Sequence, residues 1–163
     1  GGHARADMLD KPTVKLLYES GCRYLSFGIE SGSPIILQNM NKKLNIEKAI
    51  DGIKLCKDYG IHPNVTYIIG YLGETLETLK ETSSFMEKTG TRNRMFFIMP
   101  LPNTVLWNNI YKNGKVIGTT KQFDLEEYII SLGNAYDFVG LNLTDFSDND
   151  LIDLKNRCEL GAL

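Results

Sequence analysis

The feature that most constrains this chain is a phrase used three times: amphipathic helix, glycine stop, apolar strand, polar loop. Residues 10–21 (DKPTVKLLYESG) set Val14, Leu17 and Tyr18 at helical spacing, with Pro12 in the first turn and Gly21 as the stop. CRYLSFGI follows as a short strand. Residues 45–60 repeat the plan, with Asn45 as N-cap, one face of Ile46, Ala49, Ile50, Ile53 and Cys56, and a stop at Gly60. NVTYIIG is their strand. Residues 75–90 place Leu76, Leu79, Ser83 and Met86 on one side, end at Gly90, and lead into RMFFIMP.

Strands that read as nearly continuous apolar runs suit a parallel sheet buried on both faces. Successive crossovers then predict an α/β chain, either a partial (β/α) barrel or an open parallel sheet. A strand remnant in ARADML brings the total to about four βα units, too few for a closed eight-stranded barrel. After Asn103 the pattern loosens into helices at TVLWNNIYKNG, DLEEYIISLGNAY and SDNDLIDLKNRCEL, the last capped by Ser147. Residues 1–113 therefore read as the barrel part and 114–163 as a helical extension packed on the same domain.

Composition excludes several classes. A chain of 163 residues with a net charge of −2 has no basic block, which argues against a nucleic-acid surface. No apolar run approaches the roughly 20 residues of a membrane span. Three widely separated cysteines, Cys22, Cys56 and Cys158, argue against a disulfide framework and fit a cytoplasmic protein. Cys22, opening a strand, and Cys56, on an apolar stripe, read as small buried hydrophobes. Gly1-Gly2-His3 has the look of an appended stub, and His3 is given no weight.

In parallel α/β folds ligands bind beyond the carboxyl ends of the strands. Those ends are GIESGS (28–33), GYLGE (70–74) and PLPNT (100–104), so small and polar residues gather on one rim. Glu30 is the sharpest candidate: a carboxylate there can accept from ligand hydroxyls or meet an ammonium group, or else pair with a nearby Lys or cap a loop amide. Ser31 and Ser33 can serve as caps for PIILQNM. Lys42 and Lys43 read as solvated surface within reach of a ligand carboxylate. YIIGYLGET is neither a dinucleotide fingerprint, since Ile68 stands where the first glycine is needed, nor a P-loop, since no Lys-Ser/Thr follows Gly73. Glu74 reads as a carboxylate at the positive end of the next helix, repelling phosphate. His62 lies ahead of its strand on the opposite rim, and no G-x-S-x-G elbow supports a hydrolase.

FGIESGS, MNK, IIGYLGET and PLPNT, in this order, resemble the radical S-adenosylmethionine superfamily, most closely its cobalamin-binding branch. The likeness runs through most of the chain, to FSDNDLIDL. It implies a partial barrel whose top face holds an iron–sulfur cluster and S-adenosylmethionine, with a cobalamin domain in many full-length members. It assigns Glu30 and Ser31 to the ribose or amino-acid part. Ile68, Ile69, Gly70 and Gly73 match the element that lays its backbone on the adenine. Arg5 and Asp7 match an R-x-D at an earlier strand end, and Lys42 is a candidate for the carboxylate. Thr66, Leu72 and Asn103 depart from the family's usual Gly, Pro and Gly.

The family's C-x-x-x-C-x-x-C is absent from this sequence. The expectation is a truncated piece of a radical enzyme acting on a small molecule, with cluster ligands elsewhere, inactive alone, and prone to associate through its cut sheet edge. The competing readings are a non-catalytic α/β adenosine-binding or interaction module, and a fragment of a tRNA-modifying relative.

Overall fold

The computed structural model describes residues 1–112, 115–116 and 124–163. Four strands form one parallel sheet in sequence order: β1 (Gly2–His3), β2 (Tyr24–Glu30), β3 (His62–Ile69) and β4 (Met95–Phe97). The connections carry α1 (Lys11–Glu19), the short α2 (Pro34–Asn39), α3 (Ile46–Asp58) and α4 (Leu76–Thr89). The α/β architecture expected from the repeated phrase is the one that forms. Each long helix begins where its cap places it: Asp10, Asn45 and Thr75 accept the N–H groups of Thr13, Lys48 and Thr78. Thr78 answers Thr75 with a reciprocal bond, closing a capping box.

Four details differ from the sequence reading. The edge strand is Gly2–His3 rather than ARADML, whose Ala6–Met8 form a 3-10 turn. Arg5 and Asp7 pair with each other across this turn. His62 is the first residue of β3 rather than outside it. Cys56 and Cys158 are buried, but Cys22 lies in the turn before β2, half-buried, with its thiol 3.4 Å from the Tyr24 carbonyl oxygen. Finally, the sheet is not buried on both faces.

Along β3, Pro63, Val65, Tyr67 and Ile69 are buried, while Asn64, Thr66 and Ile68 are half-covered and His62 is exposed. In β2, Leu25, Phe27 and Ile29 join the core, whereas Tyr24 and Gly28 are exposed. The core face packs on Val14 of α1, Ile50 and Ile53 of α3, and Leu79 and Met86 of α4. This one-sided burial is how the wall of a partial barrel is covered, with the lumen face left polar.

The C-terminal half adds α5 (Val105–Ile110), a short antiparallel pair β5 (Tyr111–Lys112) and β6 (Lys115–Val116), α6 (Leu125–Ser131) and α7 (Asp148–Leu160). The helix expected over residues 104–114 stops at Ile110. Its last two positions, and the boundary drawn between 113 and 114, lie outside the described residues. Trp107 stacks on Tyr111 and Tyr128 in a second apolar cluster, while Leu151, Leu154 and Cys158 of α7 enter the main core. The β4 edge is covered: Phe97 N–H donates to the Ala135 carbonyl and Met95 N–H to Glu159. Among the described residues no helix is long and apolar enough to cross a membrane.

Candidate functional site

The carboxyl ends of β1, β2 and β3 converge, and side chains tie their loops together. At β2 the pairing with β3 shifts between Gly28 and Glu30, and Glu30 takes a φ of 71°. A non-glycine residue in the left-handed region is uncommon and marks a position where surroundings outweigh local strain. The irregularity folds the Glu30 carboxylate back over its own strand. A Cβ on Gly28 would lie 2.5 Å from Glu30 Oε1, so glycine is what makes room for it. Lys42 Nζ donates to that oxygen at 3.0 Å and to the Gly28 carbonyl at 2.6 Å. Both side chains remain about a quarter exposed, so the pair is screened by solvent yet fixed in place.

The loop holding Lys42 is clamped from its other side. Arg5 meets Asp7 through two hydrogen bonds, of 3.1 and 2.8 Å, and also donates to the Lys43 carbonyl. Asn45 N–H donates to Asp7 at 3.2 Å. The Arg5 hydrogen bonds hold the Asp7 carboxyl below the usual carboxylate range. Arg5, Asp7, Glu30 and Lys42 thus form one connected group at the ends of β1 and β2.

The third loop, residues 70–74, leaves β3 through Gly70 and Gly73, both in the left-handed region. It leans on α2, where Asn39 donates to the Leu72 carbonyl at 3.0 Å and Tyr71 OH donates to the Asn39 carbonyl. Ile68 faces the lumen side and is half-covered, whereas Ile69 lies wholly in the core. Ser31 is brought to the rim only by its backbone. Its hydroxyl is buried, shares a 3.0 Å hydrogen bond with Thr82 of α4 and accepts Ser33 N–H. Ser33 stands at the N-cap of α2 without making the side-chain cap bond. Asn103, with φ 67°, adopts a conformation that Asn tolerates almost as glycine does.

Glu74 is the residue whose role the sequence reading missed. It lies before the Thr75 cap, outside the helix, and is buried, with Oε2 accepting Gly70 N–H at 2.5 Å. Burial pushes its carboxyl up to about 7, against the pull of the Gly70 and Tyr71 backbone. The signal was legible: T-x-x-T at 75–78 puts the cap at Thr75 and leaves Glu74 in the turn. A cavity of about 1030 Å³ lies beside this rim, between the α2–α3 loop and α4. Lys42 and Lys43 line it from the rim side.

Three comparisons bear on this arrangement. The Radical SAM superfamily model matches residues 3–86, more than half of the chain. An uncharacterized methyltransferase of Pyrococcus horikoshii is 33% identical over 115 residues, which is 70% of this chain and 25% of that protein. The chain therefore spans about a quarter of that relative's length. The cobalamin- and 4Fe-4S-bound structure of the methyltransferase TsrM from Kitasatospora setae superposes with a TM-score of 0.57 at 21% identity, over 66% of this chain and 22% of that one. Coproporphyrinogen III oxidase of Escherichia coli gives 0.56 at 17% identity, over 82% and 31%. Both structural likenesses speak to the fold.

Proposed function

Because the chain belongs to the radical SAM superfamily, we propose that its rim is an S-adenosylmethionine site within a longer radical enzyme. The observation that carries this reading is Glu30, held at positive φ above Gly28 with Lys42 beside it. These residues fit the cofactor chemically. Glu30 can accept from ribose hydroxyls or from the ammonium group, and Lys42 can meet the carboxylate when its pairing with Glu30 is exchanged for the ligand. Ile68 offers an apolar surface, and the backbone at Gly70 and Gly73 the close approach a flat base needs. Arg5 and Asp7 hold the Lys42 loop against the strand ends.

Bound in the whole protein, S-adenosylmethionine would supply radical chemistry on a small molecule, together with an iron–sulfur cluster. The described residues do not fit that cluster. No group of three His, Cys, Asp or Glu among them is placed to hold a metal ion. Burial also raises the Cys56 and Cys158 thiols to about 11 and about 12, away from the thiolate a cluster requires. Cluster ligation and radical generation are therefore assigned to other parts of the protein, and this chain alone is expected to be inactive. Cobalamin is proposed for the whole protein because of the branch it resembles; no described residue is assigned to it.

The test is calorimetric titration of S-adenosylmethionine into the full-length protein. Glu30→Ala is expected to weaken binding about tenfold to a hundredfold, the range for losing one charged hydrogen-bond partner. Unchanged affinity would remove the rim from the site.

A further inference from the structure

The 70–74 loop contains a carboxyl that the ligand reading leaves unused. Glu74 is 5% exposed, its Oε2 accepts Gly70 N–H at 2.5 Å, and its own N–H donates back to the Tyr71 carbonyl at 3.1 Å. Its Oε1 has no hydrogen-bond partner among the described residues. The side chain therefore closes the glycine-bearing turn on itself through one backbone N–H. Above it, Leu151 of α7 would be 3.3 Å from a Cβ on Gly70, so the turn is roofed as well as clamped.

No cation pairs with Glu74 among the described residues. The titratable side chain facing it is the Cys158 thiol of α7, while the Tyr71 hydroxyl turns away to the Asn39 carbonyl. Arg92, beyond Cys158, donates to the Cys158 carbonyl and to Ser83. A buried carboxylate without a cation is costly, whereas a neutral acid can keep the Gly70 bond.

We propose that Glu74 is the positioning residue of the rim: as a neutral acid it latches the 70–74 loop into its ligand-receiving shape, and ionisation loosens the latch. This deepens the S-adenosylmethionine reading and rests on it. Burial pushes the latched carboxyl up to about 7 from an ordinary 4.5. The open loop ionises first, so latch stability is full below 4.5, falls as the pH rises toward 7, and is level above it.

The test has two arms, each with wild type, Glu74→Gln and Glu74→Ala across roughly pH 5 to 8. In the first, hydrogen exchange at the Gly70 amide of this chain is followed by NMR, corrected for intrinsic base catalysis. Wild-type protection is expected to fall about tenfold or more over that range, Glu74→Gln to stay protected throughout, and Glu74→Ala to be unprotected at every pH. In the second, S-adenosylmethionine is titrated into the full-length protein, and its affinity is expected to follow the same order. Parallel wild-type and Gln exchange profiles would overturn the latch. If exchange behaves as expected but none of the three proteins binds S-adenosylmethionine, the latch stands and the ligand reading falls. If all three bind equally, the positioning role falls and the ligand reading stands.

Discussion

At the residue scale, Gly28, Glu30 and Glu74 show how much depends on what one side chain excludes or replaces. Gly28 is exposed and packs nothing, so its value lies in the space it leaves for the Glu30 carboxylate. Gly28→Ala should push aside only the tip of Glu30, leaving stability within about 1 kcal/mol while weakening S-adenosylmethionine binding. Equal losses of melting temperature and affinity would instead mark Gly28 as a packing position. Glu74 gives a stability prediction with a defined sign. The fold favours its neutral form, so the contribution present below pH 4.5 is lost as the pH rises toward about 7. Glu74→Gln cannot ionise, and urea unfolding should show it overtaking wild type, by at most about 3 kcal/mol near pH 8. A constant offset between the two proteins across this range would contradict the buried-acid account. The sequence placed both residues on the rim. It could not show that Glu30 pairs with Lys42, twelve positions away, or that Glu74 turns inward, because both depend on which loops meet.

At the element scale, the helices were legible because caps and stops are local. Asp10, Asn45, Thr75 and Ser147 each accept the N–H three residues on. Thr75→Ala removes its half of the capping box of α4, the helix bearing Thr82, to which Ser31 and Gly32 are bonded. It should cost about 1 kcal/mol in chemical denaturation, and a wild-type midpoint would show the cap to be redundant. Strand faces were read less well. NVTYIIG reads as an apolar run in sequence, yet Val65, Tyr67 and Ile69 alternate with Thr66 and Ile68, and only the first set is fully buried. Period two was present, but Ile68 masked it: lumen-facing and core-facing isoleucines look the same in one dimension. The helix expected through residue 114 failed for another reason. Tyr111 leaves the helix to pair as a strand with Val116 while its ring stacks on Trp107, a tertiary choice overriding local propensity.

At the scale of the whole molecule, the two sheet edges differ. The β4 edge is covered by Ala135 and Glu159, whereas among the described residues β1 pairs only with β2. Met8, Leu16 and Tyr24, which flank that side along the chain, are exposed. An uncovered strand with apolar neighbours invites pairing. Sedimentation velocity on this chain should therefore show concentration-dependent dimerisation, suppressed by a proline at His3, and a monomer at all concentrations would count against edge pairing. The sequence by itself determined the three repeated helix–strand units, the Asn45 and Ser147 caps, the parallel α/β class and the rim on which chemistry gathers, because spacing, capping and glycine stops act over a few residues. Only the tertiary structure decided that one face of the sheet stays polar, that Lys42 closes on Glu30, that Ser31 is spent on Thr82, and that Glu74 is buried against Gly70 beneath α7. Those outcomes are set by burial and charge pairing between segments distant in the chain, and no local pattern encodes which distant group will take a given hydrogen bond.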